Sequence, residues 1–252
     1  MPQPAKTGPA STQPANTGPA NVGPAATRPA VQHLVVRYAK RGKMRFASHL
    51  DVARAFERGV RRADLPIAYS AGFTPHPKIS YAGGAPTGVA SEAEYLSLTL
   101  TTRAEADAVR DGLNAALPDG IDVIAVTEDS GGLPASRLTA SEWQVALPGL
   151  PADNVVPVVR KFLTLTEAPV ERLTSKGLRR MDARAAVVSL DVLDDASAGS
   201  ALRMVVRHTV PSVRPDDVLN ALRDVSDVFP VGQPLMTRLA QGSLGESGVV
   251  QL

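Results

Sequence analysis

The chain has 252 residues, of which 44% are hydrophobic and 21% charged, and this is enough apolar material for one large domain or two small ones. It contains no cysteine, which excludes disulfides, thiolate zinc sites and a cysteine-held iron–sulfur cluster. The formal net charge is only +2, so an anionic partner has to be bound by a local basic patch and not by bulk charge.

Residues 1–30 form a low-complexity tail of Pro, Gly, Ala, Thr and Asn. The tetrapeptide TGPA occurs at Thr7–Ala10 and again at Thr17–Ala20. Such a segment cannot bury enough apolar surface to offset its ordering entropy, so we expect it to be disordered. No apolar run approaches the ~20 residues of a membrane helix, and the chain start lacks a signal-peptide pattern. These features predict a soluble, cytoplasmic protein.

Residues 31–130 predict a first folded unit. A strand begins at Val31, a turn follows, and MRFA predicts a short second strand. Ser48 and Asp51 form a capping-box pattern that opens a helix, in which Gly59 indicates close packing against a neighbour. A proline-fixed turn is expected at 74–77 and an alternating strand at 93–100. A second capping box, Thr102 with Glu105, opens a helix, and a last strand is expected at 121–126.

Residues 131–252 predict a second unit with a similar order of elements. Strands are expected at 143–147, 170–175, 185–192, 202–208 and 234–239, with helices at 155–165 and from Pro215. Pro157 is compatible with its helix only near the first turn, and the glycine-rich end is expected to fray. The sequence therefore predicts an α+β fold of two tandem ferredoxin-like (βαββαβ) units, joined near Gly131-Gly132.

Basic and aromatic residues are concentrated between Arg37 and Glu94. Arginines recur at helical spacing on the first predicted helix, and guanidinium groups bind phosphate oxygens in a bidentate manner. Aromatic side chains interleave with these charges, as in proteins that stack unpaired bases, although packing in the core is the more ordinary use for them. A solvated helix face with Glu57 pairing Arg61 is the alternative for the charges. The candidate RNA-binding residues here are Arg45, Arg54, Arg58, Arg61, Arg62, Tyr69, Phe73 and Lys78.

Two histidines stand beside these residues. His49 lies at the predicted helix start, where the helix dipole disfavours the charged imidazole, so it is a candidate general base or hydrogen-bond donor. His76 lies between two prolines, which hold its backbone stiffly in a candidate recognition loop. A capping histidine and an exposed turn histidine are the alternatives. Together with Asp51 they match no standard metal-site spacing, so we predict no metal site.

A second basic cluster runs from Lys176 to Arg184 and is expected in an exposed loop. Lys176, Arg179 and Arg180 are candidate phosphate contacts, and Asp182 can pair with Arg179 or Arg184. Glu94 can orient a basic residue across the sheet, or it can be a simple strand-edge charge. No order of Ser, His and Asp predicts a hydrolase.

The stretch from Arg37 to Tyr95 resembles the signature region of the radical-SAM-associated protein family, a family of unknown biochemical function. The resemblance rests on RFASHLD at 45–51, the arginines of the helix, and YSAGFTPHP at 69–77. It extends over residues 32–238 and is weaker around Lys176–Arg184. Some members of that family are fused to a radical-SAM enzyme, whereas others are separate chains.

The resemblance implies that this chain works beside a separately encoded radical-SAM enzyme and carries no cofactor itself. We therefore expect an accessory, RNA-binding protein that presents tRNA or rRNA for modification. Two alternatives stay open: a metal-independent endoribonuclease with His49 as base, since the duplicated order is similar in architecture to CRISPR RNA-processing endonucleases, and a scaffold that binds only the enzyme.

Overall fold

The computed structural model describes residues 28–129, 135–174, 177–195, 199–229, 234–246 and 248–251, which form a mixed α+β fold that is mostly sheet. The first half contains, in chain order, β1 Gln32–Lys40, α1 His49–Arg62, β2 Ile79–Ala82, β3 Ala90–Leu100, α2 Ala106–Ala116 and β4 Ile121–Glu128. The second half contains β5 Ala140–Pro148, α3 Ala152–Leu163, β6 Pro169–Thr174, β7 Gly177–Asp182, α4 Ala183–Ala186, β8 Val187–Asp195, β9 Gly199–Arg207, α5 Pro215–Val225, β10 Met236–Gly245 and β11 Gly248–Gln251.

One continuous sheet joins the two halves. Its strand order is β4-β1-β3-β10-β5-β9-β8, with β2 paired to β3 and β11 paired to β10. All of these pairs are antiparallel except β3 with β10, which is a short parallel pairing of Ala90 and Ser91 with Thr237 and Arg238. Strands β6 and β7 form a separate two-stranded ribbon. The last described strands of the chain thus return to the middle of the sheet.

Each half packs its own helices on the sheet. In the first half, Leu34, Leu96 and Leu113 belong to a buried cluster that also contains Phe56 of α1. In the second half, a separate cluster brings together apolar residues of β5, α3, β9 and α5, namely Val145, Phe162, Leu202 and Leu222. Burial of such side chains, at ~25 cal/mol per Å² of apolar surface, is the main stabilising contribution to both layers.

The local signals for α1 are confirmed. The Ser48 hydroxyl accepts a hydrogen bond from the Asp51 backbone N–H at 3.2 Å, and the Asp51 carboxylate accepts one from the Ser48 N–H at 3.0 Å. This reciprocal capping box satisfies donors that the first helical turn leaves free. A Cβ on Gly59 would lie 3.0 Å from Leu117 Cδ2, so the expected close approach to a neighbour is also confirmed.

Several expectations for the first half are wrong in detail. Residues 42–46 form a 3-10 helix and not a strand, with the Met44 N–H donating to the Arg41 carbonyl across a tight turn. The capping box expected at Thr102 does not form, because α2 begins at Ala106 with Glu105 as a cap that makes no side-chain hydrogen bond. The tail at 1–27 and the junction at Gly131-Gly132 lie outside the described residues.

The second half also differs from expectation. The basic segment after Lys176 is not a loop: it forms β7 and the short α4, because its backbone pairs with β6 from Gly177 to Asp182. The glycine-rich end is not frayed over 236–245, where the backbone pairs with β5 and then β11. Pro157 lies in the second turn of α3, since that helix begins at Ala152 after a proline cap.

None of the helices in the described part of the chain has the length and apolarity to span a bilayer.

Candidate functional site

The arginines of α1 lie on its exposed face. The opposite face is buried and consists of Val52, Ala55, Phe56, Gly59 and Val60. This amphipathic pattern leaves the four arginines in solvent: Arg54, Arg58, Arg61 and Arg62. The predicted row of guanidinium groups along one helix therefore has the orientation that a phosphate-binding surface requires.

These arginines are largely free of carboxylate partners. Within the described residues, the side chains of Arg58 and Arg61 make no hydrogen bond or ion pair, and Glu57 forms no ion pair with Arg61. Arg62 reaches only the Ala116 carbonyl, at 3.5 Å. Arg54 is the exception, because it acts electrostatically on Asp51, whose pKa is lowered mainly by its hydrogen bonds from Ser48.

The proline-flanked loop is clamped at its base. The Ser70 N–H donates to the His76 carbonyl at 2.8 Å, and the His76 N–H donates to the Ser70 hydroxyl at 3.0 Å. Tyr69 forms a β-bridge with Pro77. The loop between these bonds presents Phe73 with 98% of its surface exposed. The Phe73 ring is therefore accessible to a binding partner.

A cavity of about 720 Å³ lies between the end of α1 and this loop. Its walls include Arg61 from α1, Tyr69 and Ser70 from the loop base, and Pro75. The fold thus brings together a cation and an aromatic ring from two separate elements of the predicted surface. We call the exposed α1 arginines with Tyr69, Phe73 and this cavity the arginine surface.

The two candidate histidines are placed differently from each other. His49 is exposed at the first residue of α1, and its ring packs edge-on against Tyr81, with centroids 5.1 Å apart. Its Nδ1 and a Glu94 carboxylate oxygen both lie within 4 Å of where a side chain on Gly84 would begin. His76 belongs to the clamped loop. No contact between the described residues joins the two histidines.

Two further predicted residues flank α1 and the loop. The Arg45 guanidinium carbon lies 4.6 Å from the Phe46 ring centroid, as in a cation–π contact, and its buried Nε has no partner among the described residues. Lys78 is exposed, and its backbone N–H donates to the Ala68 carbonyl at 2.7 Å. Lys78 therefore lies at the start of β2, with a side chain free to meet an anion.

The second basic cluster is separate from the arginine surface. Arg179 and Arg180 are exposed on β7, where they lie opposite Arg172 and Glu171 of β6. Lys176 lies outside the described residues. The expected pairing of Asp182 with an arginine side chain is wrong. Its carboxylate instead accepts backbone N–H groups at the start of α4 and from Ala168, because the uncapped helix end requires acceptors.

A buried ionic network lies beside His49. Only its member Glu94 was singled out in the sequence. Glu94 of β3 accepts a hydrogen bond from Arg238 of β10, with neither side chain more than 4% exposed. The same carboxylate accepts the Ala85 N–H at 3.2 Å, and Arg238 also donates to the Gly83 carbonyl at 2.5 Å. The expectation that Glu94 orients a basic residue across the sheet agrees with this arrangement. No feature of the sequence near Glu94 indicates that this basic residue is Arg238.

Lys40 completes this network. Its ammonium donates to the carbonyls of Ala85 and Pro86 at 3.2 and 3.3 Å. Burial lowers the pKa of Lys40, and Arg238 lowers it further, whereas Glu94 acts in the opposite direction. The network fixes the segment at 83–86 against the sheet. Among the described residues, no group of three His, Cys, Asp or Glu side chains is placed to hold a metal ion.

Comparisons with known proteins give a family without an assigned activity. A family model described as "Uncharacterized protein conserved in bacteria (DUF2344)" matches residues 33–215. No curated protein matches the chain. A solved structure of a Cbf5-Nop10-Gar1 complex aligns with 87% of this chain and 52% of that chain, at a TM-score of 0.46 and 13% identity. This chain therefore spans about half of that protein, and a likeness at this level carries no argument about function.

Proposed function

This chain belongs to the family described as uncharacterized protein conserved in bacteria (DUF2344), and from that premise we propose that it is an accessory RNA-binding protein. In this proposal the arginine surface holds a tRNA or rRNA and presents it to a separately encoded radical-SAM enzyme that modifies it. The chain itself supplies binding and orientation, not the reaction.

The observation that carries the proposal is the row of exposed arginines on α1, of which only Arg54 interacts with a carboxylate, that of Asp51, within the described residues. Arg58 and Arg61 have no ionic partner within the described residues, and several other arginines do, such as Arg41 and Arg110. An unneutralised row along one helix produces a local positive potential on a chain of net charge +2. Displacement of counterions from RNA phosphates by such a row is the dominant source of affinity in nucleic-acid binding.

The neighbouring loop supports RNA over other polyanions. Phe73 is almost fully exposed, and Tyr69 lines the cavity beside Arg61. Exposed rings next to a basic track are the arrangement that stacks unpaired bases, at about 1–3 kcal/mol per base. Duplex DNA does not offer bases for stacking in this way, so the surface suits single-stranded or looped RNA.

The partnership with a radical-SAM enzyme is supported by the resemblance of residues 37–95 to the radical-SAM-associated family. The chain has no cysteine for an iron–sulfur cluster, so such chemistry would have to come from the partner. Two exposed apolar residues, Phe46 just before α1 and Leu50 in its first turn, offer a place for protein contact beside the RNA surface.

We also infer that the fold is a duplication of one ferredoxin-like unit. The inference is supported by the equal strand orders of the two halves, β4-β1-β3-β2 and β10-β5-β9-β8, each with a helix after its first and third strands. In this interpretation β6, β7 and α4 are an insertion in the second unit.

Recovery of the tagged chain from host lysate, with and without ribonuclease treatment, tests the proposal. We expect RNA to co-purify in the untreated sample, and we expect the radical-SAM enzyme in both samples. Recovery of the enzyme but never of RNA would replace the proposal by a protein scaffold. Cleavage of the recovered RNA by the purified chain, lost in His49→Ala, would replace it by an endoribonuclease.

A further inference from the structure

A second cavity lies where the two halves of the chain meet, and the proposed function does not use it. Its volume is about 340 Å³, within the range of small-ligand sites. The segment from Gly83 to Pro86 and the start of α5 enclose it above the ends of β5, β9 and β10. It shares no lining residue with the cavity of the arginine surface.

The floor of this junction cavity is set by strand register. Ser141 of β5 lies directly opposite Gln241 of β10 on one side and Val206 of β9 on the other. Trp143, which is two residues further along β5 than Ser141, lies opposite Arg238 of β10. Residues paired in this way, and residues two apart on a strand, share a face of the sheet. The register therefore places Ser141, Trp143, Gln241 and Arg238 together.

Gln241 provides a hydrogen-bond donor without an acceptor. Its side chain is fully buried, and its amide oxygen accepts a hydrogen bond from Arg238. Its amide nitrogen has no hydrogen-bond partner in the described residues. An unmet buried donor of this kind is destabilising, and a ligand acceptor that reaches it would satisfy it.

Ser141 provides the complementary acceptor. His208 Nδ1 lies 2.7 Å from the Leu138 carbonyl, which can only accept, so Nδ1 carries the proton. His208 Nε2 then accepts from the Ser141 hydroxyl at 2.7 Å. Partial burial is the main cause that lowers the pKa of His208; the hydrogen bond to Leu138 acts in the opposite direction, and Arg238 lowers the pKa slightly further. The ring is thus held neutral at neutral pH, and the Ser141 oxygen keeps lone pairs for a ligand donor.

The remaining lining is partly apolar, and its polar members besides His208 are Ser212, Arg214 and Asp216. Trp143 supplies an indole, and Val89, Val213 and Met236 supply aliphatic surface. The Arg238 guanidinium carbon lies 5.6 Å from the indole centroid, so the ring is held in place from the polar side. The indole, with a hydrogen-bond donor and an acceptor beside it, favours a planar ligand that carries an acceptor and a donor on its edge.

We propose that the junction cavity binds a nucleobase, with Gln241 donating to a base acceptor, Ser141 accepting from a base donor, and Trp143 contacting the ring face. The source of the base rests on the proposed function, since a base splayed out of RNA held by the arginine surface would be the occupant. Extrusion of a base costs least where the base is already unpaired, so contacts within the pocket can offset that cost.

Trp143 is the only tryptophan in the chain, so its fluorescence reports on this cavity directly. Titration of the full chain with adenosine, guanosine, cytidine or uridine should quench that emission to saturation for at least one of them. Ribose 5-phosphate, which lacks a base, should leave the emission unchanged. Val89→Phe fills the cavity from a partly buried position and should abolish saturable quenching, and it also controls for absorption of light by the nucleosides.

Two further variants complete the test. Ser141→Ala should weaken nucleoside binding about tenfold, since it removes one hydrogen bond to the base. Arg58→Ala/Arg61→Ala should bind nucleosides like the wild type and bind RNA more weakly. If wild-type emission does not saturate with any of the four nucleosides, or if Val89→Phe binds them equally well, the cavity is not a base site. If nucleosides bind but RNA does not, the base comes from a free nucleoside or nucleotide, and it is the RNA-binding function that fails.

Discussion

Arg238 of β10 donates a hydrogen bond from Nη2 to Oε1 of Glu94 on β3 at 2.5 Å, at the place where the two halves of the sheet meet. Both side chains are buried, so neither charge is solvated if the other is removed. The parallel pairing of β3 with β10 covers only two residue pairs, and this ion pair with its hydrogen bonds to Ser91 and Gly83 reinforces it.

Loss of one member of this pair should be strongly destabilising. Glu94→Ala leaves a buried guanidinium without its counter-charge, and we expect the free energy of unfolding to fall by about 3–5 kcal/mol. Glu92→Ala is the matched control, because Glu92 pairs with Arg41 near the surface and such pairs contribute about 0–1 kcal/mol. Urea unfolding of both variants measures the difference. Equal small losses would mean that the pair does not hold the halves together.

Tyr81→Phe should leave stability unchanged or raise it by about 1 kcal/mol. The Tyr81 hydroxyl is buried and has no hydrogen-bond partner within the described residues, so its removal relieves a desolvation cost. The ring contacts with His49 and Phe56 are kept by phenylalanine. Thermal and urea unfolding test this expectation. A loss of more than about 1 kcal/mol would show that the hydroxyl is engaged in solution.

Alkaline pH should destabilise the fold through two tyrosines. The pKa of Tyr38 is raised well above its ordinary value, first by burial and then by Glu94 and Tyr81, against Arg238. Burial, and secondly Glu57, raise the pKa of Tyr81. The unfolded chain loses these protons near pH 10, while the folded chain retains them, so the free energy of unfolding is intact below that pH and falls as pH rises above it.

This decline has a specific signature. Tyr38→Phe should reduce the slope of unfolding free energy against pH above pH 10, and it should leave the slope at neutral pH as it is. Tyrosinate absorbance of the folded protein should include a late-titrating component, and Tyr38→Phe and Tyr81→Phe should each reduce it. Four coincident titrations would contradict the burial of Tyr38 and Tyr81.

Gly83→Ala should lower the free energy of unfolding more than Gly42→Ala, although the two glycines have similar backbone conformations. Gly83 has a φ of +61°, and a Cβ there would overlap the Gln241 side-chain amide. Gly42 has a φ of +52° and open space around it, so Gly42→Ala isolates the backbone cost of about 1–2 kcal/mol. We expect Gly83→Ala to cost about 1–3 kcal/mol more, in unfolding measurements, because the clash involves a buried side chain. Equal losses would mean that the segment at 83–86 moves freely.

The parts of the molecule that sequence predicts well are those with local signals. The capping box at Ser48, the spacing of buried residues along α1 and the exposure of Arg58 and Arg61 all depend on residues within one helix. Their interpretation as a helix with one charged face needed no knowledge of the rest of the chain.

The junction was not predictable in the same way. Glu94 and Arg238 are 144 residues apart, and they meet because β10 inserts between β3 and β5. Gln241 and Ser141 likewise share a face only through that insertion. The strand expected at 170–175 is present as β6, whereas its partner β7, with Arg179 and Arg180, was expected to be a loop for a different reason. A two-stranded ribbon exposes most of both faces, so it shows no alternation of apolar and polar residues.

The central claim is that the α1 arginines bind RNA phosphates, and the salt dependence of RNA affinity tests it most directly. Filter binding of host RNA by the wild type should give a negative slope of log K against log salt. Arg58→Ala/Arg61→Ala should reduce that slope by about 0.7 for each phosphate that the variant no longer neutralises. Arg110→Ala, at a position already neutralised by Asp107 and Asp111, should not change it. A flat wild-type slope, or an equal effect of all these substitutions, would contradict the claim.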